Sequence, residues 1–171
     1  MKITILGGGS WGSALAVHLA ANGHSINIWE FFEEQAQEMQ VQRKCKLLPD
    51  VILPQNINVY SDMIVALKEA ELVLLVVPSD KVESTIRIAA PLLSDQSIVI
   101  CSKGFSADGR LLSSIVQEEV GGEVYCLYGP THAEEVGKGM FSGIVLAGEL
   151  AGAKELAKVF QRDVFKVHLS D

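Results

Sequence analysis

Lys2-Ile3-Thr4-Ile5-Leu6-Gly7-Gly8-Gly9-Ser10-Trp11-Gly12 decides how this chain is read. Its first five residues are a short β-branched run, which predicts a strand. Ser10–Asn22 then carries Trp11, Leu15 and Leu19 at helical spacing, and Asn22-Gly23 supplies a C-terminal stop. Between strand and helix, Gly7, Gly9 and Gly12 form G-x-G-x-x-G. Alone that pattern is weak. A strand before it and a helix after it make it informative. Gly7 allows the tight turn, Gly9 lets the backbone approach a pyrophosphate, and Gly12 lets helix and strand pack closely. The helix start offers unpaired N–H groups and the positive end of its dipole to phosphates.

Working outward, Ile26–Glu30 reads as a second strand. Glu30 falls near the spacing of about 20 residues at which a carboxylate accepts hydrogen bonds from the ribose of a bound dinucleotide. Such a carboxylate repels a 2′-phosphate, so NAD is favoured over NADP. Phe32–Lys44 is a polar helix. Leu47–Asn56, with Pro49 and Pro54, reads as a loop. Asn58–Tyr60 is a brief strand and Asp62–Ala70 a short helix. Leu72–Val77 is continuously apolar, as in a strand buried on both faces. Ser79–Leu93, Arg110–Val120 and Ala151–Gln161 read as helices, with a shorter one ending at Val136. Ser97–Cys101, Val124–Tyr128, Ser142–Ala147 and Val164–His168 read as strands. This alternation predicts an α/β fold, Rossmann-like and doubly wound. One mostly parallel sheet is expected, with extra strands at the C-terminal end, in a single domain over residues 1–171.

The 171 residues suffice for one real core, and a 49% hydrophobic, 20% charged composition is that of a globular protein. A net charge of −7 argues against nucleic acid as a partner. No apolar run approaches the ~20 residues of a membrane span, and no secretory signal is visible. A cytoplasmic location and no membrane partner are the expectation. Cys45, Cys101 and Cys126 are far apart and form no CxxC pair. They read as buried free thiols, with no metal site.

In an open parallel sheet, ligands lie beyond the carboxyl ends of the strands. Pro78-Ser79, after Leu72–Val77, reads as a stop and an N-cap. Lys103, after Ser97–Cys101, either donates to a substrate oxygen beside the nicotinamide or is a surface lysine with a snorkelling stem. Thr131 with Glu134 reads as a capping box, whose helix start also offers N–H groups to an anion. His132 is a titrating group or a packed one. His18 and His24 have no evident role.

These segments together resemble the bacterial-type NAD(P)-dependent glycerol-3-phosphate dehydrogenases. The resemblance is carried by Gly7–Gly12 with Trp11, Leu48-Pro49-Asp50 before Leu53-Pro54, Val76-Val77-Pro78-Ser79, Ser102-Lys103-Gly104-Phe105 and Gly129-Pro130-Thr131-His132-Ala133-Glu134-Glu135. It implies interconversion of dihydroxyacetone phosphate and sn-glycerol 3-phosphate, for glycerophospholipid synthesis. It further implies cofactor contacts from Ser10, Trp11, Phe31, Lys103 and Ala133, and substrate contacts from Lys103, Gly129 and Thr131. Phe31 departs from the polar or basic residue of many relatives, which strengthens the preference for NAD. The family continues into a helical substrate domain that supplies the catalytic lysine and most contacts of a homodimer. The chain would then be the NAD(P)-binding N-terminal domain, with no catalytic residue of its own and no turnover alone. Another two-domain hydroxyacid or ketopantoate-type dehydrogenase, a non-catalytic dinucleotide sensor and a purely structural domain are the alternatives.

Overall fold

The computed structural model describes residues 1–170. In chain order the elements are β1 (Lys2–Leu6), α1 (Ser10–Ala21), β2 (Ser25–Trp29), α2 (Glu33–Gln42), β3 (Lys44–Cys45), β4 (Leu48–Ile52), β5 (Ile57–Tyr60) and α3 (Met63–Leu67). They continue with β6 (Leu72–Leu75), α4 (Val82–Ala89), β7 (Ser97–Ile100), α5 (Leu112–Val120), β8 (Val124–Tyr128), α6 (Ala133–Gly137), β9 (Ser142–Ala147), α7 (Leu150–Phe160) and β10 (Phe165–Ser170). Short 3-10 turns flank α4, at Ser79–Lys81 and Ala90–Leu92.

Eight strands form one sheet in the order β5-β2-β1-β6-β7-β8-β9-β10. Every pairing is parallel except β8 with β9. The expected doubly wound sheet with added C-terminal strands is therefore the observed one. The chain reverses direction across the sheet between β1 and β6, which opens a crevice at their carboxyl ends. Leu72, Val73, Leu74 and Leu75 are fully buried because layers cover both faces. Ile3, Ile5, Leu15 and Leu19 anchor one layer; Val73, Leu75, Val82, Ile86, Leu112 and Val116 anchor the other. Burying each such side chain contributes about 2 kcal/mol. Among the described residues no helix is long and apolar enough to cross a membrane.

The segment expected as a loop over 47–56 contains a strand. Leu48–Ile52 pairs antiparallel with Lys44–Cys45. Leu48, Val51 and Leu53 are buried, whereas Pro49 points to solvent. A proline is tolerated in so short a ladder because few N–H groups are needed there. The preceding helix stops at Gln42 because Arg43 adopts a left-handed conformation, φ 57°. Its guanidinium then donates to the carbonyls of Leu53, Pro54 and Ile57, fastening the whole insertion. The expected Ser79–Leu93 helix is split by its 3-10 ends, and Ser79 caps nothing: Pro78 holds the N-cap position. Pro91 lacks the N–H that would extend α4.

His18 acquires a role that its sequence context did not show. Its Nε2 donates to the Phe160 carbonyl at 2.6 Å, and its ring lies 4.2 Å from that of Phe165. It therefore ties α1 to the end of α7 and the start of β10. Burial lowers its pKa from 6.5 to about 4. The unfolded chain binds the proton more readily between those values, so neutral His18 stabilises the fold above about pH 6.5. That contribution is lost as the pH falls toward 4. Chemical denaturation at pH 7 and pH 5 should show wild type losing about 2 kcal/mol more than His18→Gln, whose amide still donates to Phe160. Equal losses would place the His18 ring in solvent.

Candidate functional site

The glycine turn closes around backbone atoms. A Cβ on Gly12 would stand 2.0 Å from the Gly7 carbonyl oxygen, so helix and strand meet at a distance that only glycine permits. Gly7 has φ +121°, and a Cβ there would stand 2.8 Å from the Val76 carbonyl oxygen. Gly9 is different, because nothing lies within 4 Å of its Cβ position. The open side of the turn thus faces the crevice. No side chain caps α1, and its first turn holds no acidic residue. Ser10 and Trp11 open that helix, so its unpaired N–H groups and dipole present positive potential beside Gly9.

Glu30 follows β2 and is 6% exposed. Its Oε1 accepts the Phe32 N–H at 3.2 Å, and its Oε2 lies 2.7 Å from where a Cβ on Gly8 would stand. The carboxylate is thus pressed against the glycine turn. Phe31, next along, is 68% exposed. Its ring meets Trp29 and Phe32 edge to face at 6.0 Å and 5.1 Å. An aromatic held open in this way is a platform for a planar ring.

Across the crevice, Ser102 at the end of β7 donates to the carbonyls of Leu75 and Val77, clamping β7 to the chain leaving β6. The next residue is thereby fixed. Lys103 Nζ donates to the carbonyl oxygens of Gly129 at 3.2 Å and Thr131 at 3.3 Å. It also lies 5.6 Å from the centroid of the Trp11 ring. Among the described residues no carboxylate pairs with it. Lys103, Trp11, Gly129 and Thr131, far apart in sequence, therefore meet at one place. Gly129 also has a packing reason, since a Cβ there would stand 3.0 Å from the Gly143 carbonyl oxygen on β9. Ala133 is the first residue of α6 and packs against the core that α1 also covers.

The expected Thr131–Glu134 capping box does not form. His132 occupies the N-cap position with no side-chain bond, and Thr131 turns inward. Its Oγ1 is buried and unpaired, as is Trp11 Nε1. His132 itself is exposed. Cys45 and Cys101 are buried free thiols as expected, whereas Cys126 is a free thiol only half-buried; burial raises the pKa of Cys101 and Cys126. Among the described residues no group of His, Cys, Asp and Glu side chains could hold a metal ion. Ser13, Cys45 and Gly8 were not legible as site residues, yet the Ser13 hydroxyl and the Cys45 thiol both donate to the Gly8 carbonyl of the turn.

Residues 2–153 match the family model described as NAD-dependent glycerol-3-phosphate dehydrogenase N-terminus. A glycerol-3-phosphate dehydrogenase [NAD(P)+] of Fusobacterium nucleatum is 34% identical over 180 residues, spanning 99% of this chain and 53% of that protein. One from Enterococcus faecalis is 36% identical over 178 residues, spanning 99% and 52%. The crystal structure of a glycerol-3-phosphate dehydrogenase from Coxiella burnetii superimposes with a TM-score of 0.95 at 30% identity, over 99% of this chain and 54% of that one. The chain belongs to the NAD-dependent glycerol-3-phosphate dehydrogenase N-terminal family, and it spans about half the length of the curated relatives it matches.

The buried Thr131 hydroxyl gives the site a measurable signature. An unpaired buried polar group costs about 1–3 kcal/mol. Thr131→Val keeps the shape and removes that cost, so urea unfolding should find the variant as stable as wild type, or about 1 kcal/mol more stable. A clear loss of stability would mean that the hydroxyl has a partner within the folded chain.

Proposed function

We propose that this chain is the NAD(P)-binding domain of an enzyme that interconverts dihydroxyacetone phosphate and sn-glycerol 3-phosphate. The observation that carries this reading is the meeting of Lys103, Gly129 and Thr131 beside the glycine turn, with a buried hydroxyl left unpaired among them. The family description names glycerol 3-phosphate, whose oxidation at the secondary alcohol gives dihydroxyacetone phosphate, so family membership supports this substrate pair. It favours this reading over ketopantoate-type dehydrogenases and over a dinucleotide sensor.

The residues fit a dinucleotide. Gly9 leaves open space at an uncapped helix start, where a pyrophosphate meets N–H donors. Gly7, Gly12, Ser10 and Trp11 shape that turn. Glu30 and Phe31 serve the ribose and adenine, and Lys103 and Ala133 lie toward the nicotinamide end. The nicotinamide, when bound, supplies the hydride. Lys103 directs its ammonium at the substrate carbonyl oxygen and stabilises the negative charge that develops there. The backbone at Gly129 and Thr131, whose carbonyls hold the Lys103 ammonium, lines the place the substrate would take beside it. The proton that completes the alcohol comes from a general acid in the further domain of the longer relatives, which would also provide the homodimer contacts. Reaction in the reverse direction uses the same contacts.

Glu30 leads to a preference. NADH should bind this chain about tenfold or more tightly than NADPH, because a 2′-phosphate would meet a carboxylate already in contact with the turn. Fluorescence titration of both cofactors checks it, and Glu30→Gln should narrow the ratio. Tighter NADPH binding by wild type would overturn the assignment. In an enzyme of the relatives' full length, Lys103→Ala should lower kcat/KM for dihydroxyacetone phosphate roughly 100-fold or more. Near-normal turnover would remove Lys103 from the chemistry.

A further inference from the structure

The middle glycine of the turn has a structural job that the G-x-G-x-x-G pattern does not require. The Gly8 carbonyl oxygen accepts two buried side-chain hydrogen bonds. Ser13 Oγ, one turn into α1, donates at 3.3 Å. Cys45 Sγ, on β3 and 37 residues away in sequence, also donates at 3.3 Å. On the other side, the Glu30 carboxylate fills the place where a Gly8 side chain would be. Gly8 is therefore held from three directions by α1, by the β3–β4 hairpin and by the end of β2.

This has a geometric consequence at the next residue. Among the described residues no peptide bond is cis. In a trans peptide the N–H points opposite to the carbonyl oxygen of the same unit. Holding the Gly8 carbonyl inward thus turns the Gly9 N–H outward. Gly9 is uncrowded, since a Cβ there would meet no atom within 4 Å, and no acceptor among the described residues takes its N–H.

We propose that Ser13 and Cys45 are positioning residues that fix the Gly8–Gly9 peptide so that the Gly9 N–H is aimed in advance at the cofactor pyrophosphate. This rests on the dinucleotide reading above. The two donors touch no ligand themselves. They prevent the peptide from rotating its N–H away, so that binding does not have to order it. Cys45 brings the β3–β4 hairpin into the cofactor site as its rear support.

The test is titration of the 171-residue chain with NADH and with adenosine, which lacks phosphate, alongside thermal unfolding. Ser13→Ala and Cys45→Ala should each raise the Kd for NADH roughly 3- to 10-fold. The double variant should raise it further, with adenosine binding unchanged. Cys45→Ser keeps a donor and should bind NADH within about twofold of wild type. The Gly9 amide resonance should shift in the alanine variants before any ligand is added. Three results would overturn the proposal: alanine variants that bind NADH as wild type does, variants that lose NADH and adenosine in equal proportion, or a serine variant no better than alanine. If the double variant does not fold, the contrast between Cys45→Ala and Cys45→Ser still decides. A wild-type chain that binds adenosine but not NADH overturns the dinucleotide reading and this inference with it.

Discussion

Helix α1 approaches strand β1 so closely at Gly12 that a single methyl group would collide with the Gly7 carbonyl. That contact fixes where the helix begins and which way it points. Its uncapped N-terminus consequently faces the crevice between β1 and β6, where the winding of the sheet changes direction. The parallel register of β1 with both neighbours then sets the ends of β2 and β6 beside the same turn. Glu30 and Val76 touch that turn for this reason. A looser junction would move the helix dipole and every residue that depends on it.

The second half of the crevice is organised by β7 and β8. Ser102 clamps β7 to the chain beyond β6, and Lys103 bridges to the carbonyls beyond β8. Together these two neighbours gather three strand ends, and among the described residues no carboxylate pairs with the Lys103 ammonium, in a chain whose net charge is −7. The local charge matters here more than the total, because screening by salt weakens distant charges more than close ones. The β3–β4 hairpin joins the two halves from behind. Cys45 reaches the glycine turn, while Leu48 and Val51 pack so tightly against Gly137 of α6 that a Cβ there would be 2.9 Å from Val51. Lys138 and Asp50 form an exposed ion pair across the same junction, which adds little to stability.

Much of this was legible in the sequence because period and punctuation are local properties. The apolar run of β6, the alternation of strands with helices and the glycine turn gave the sheet and its crevice. The hairpin was hidden by Pro49 and Pro54, which read as breakers. The apolar residues Leu48, Val51 and Leu53, all buried, are the counter-signal, but their spacing of three and then two residues does not keep a strand's strict alternation. Thr131 and Glu134 have the spacing of a capping box, but spacing does not reveal that the hydroxyl turns into the protein instead. The bonds from Cys45 to Gly8 and from His18 to Phe160 join residues 37 and 142 positions apart, and no pattern within a window contains them. The middle glycine of the run, at position 8, was the available hint, since the dinucleotide pattern leaves that position free.

On the reading proposed above, the carboxyl edge of this sheet is a dinucleotide site shared between the glycine turn and Lys103. The most direct measurement is a backbone amide NMR map of the chain during addition of NADH. Shifts concentrated at Gly9, Ser10, Trp11, Phe31 and Lys103 are expected. Shifts confined to the opposite edge, around Ser94–Ser97 and Gly121–Gly122, or an unchanged spectrum from a folded chain, would contradict it.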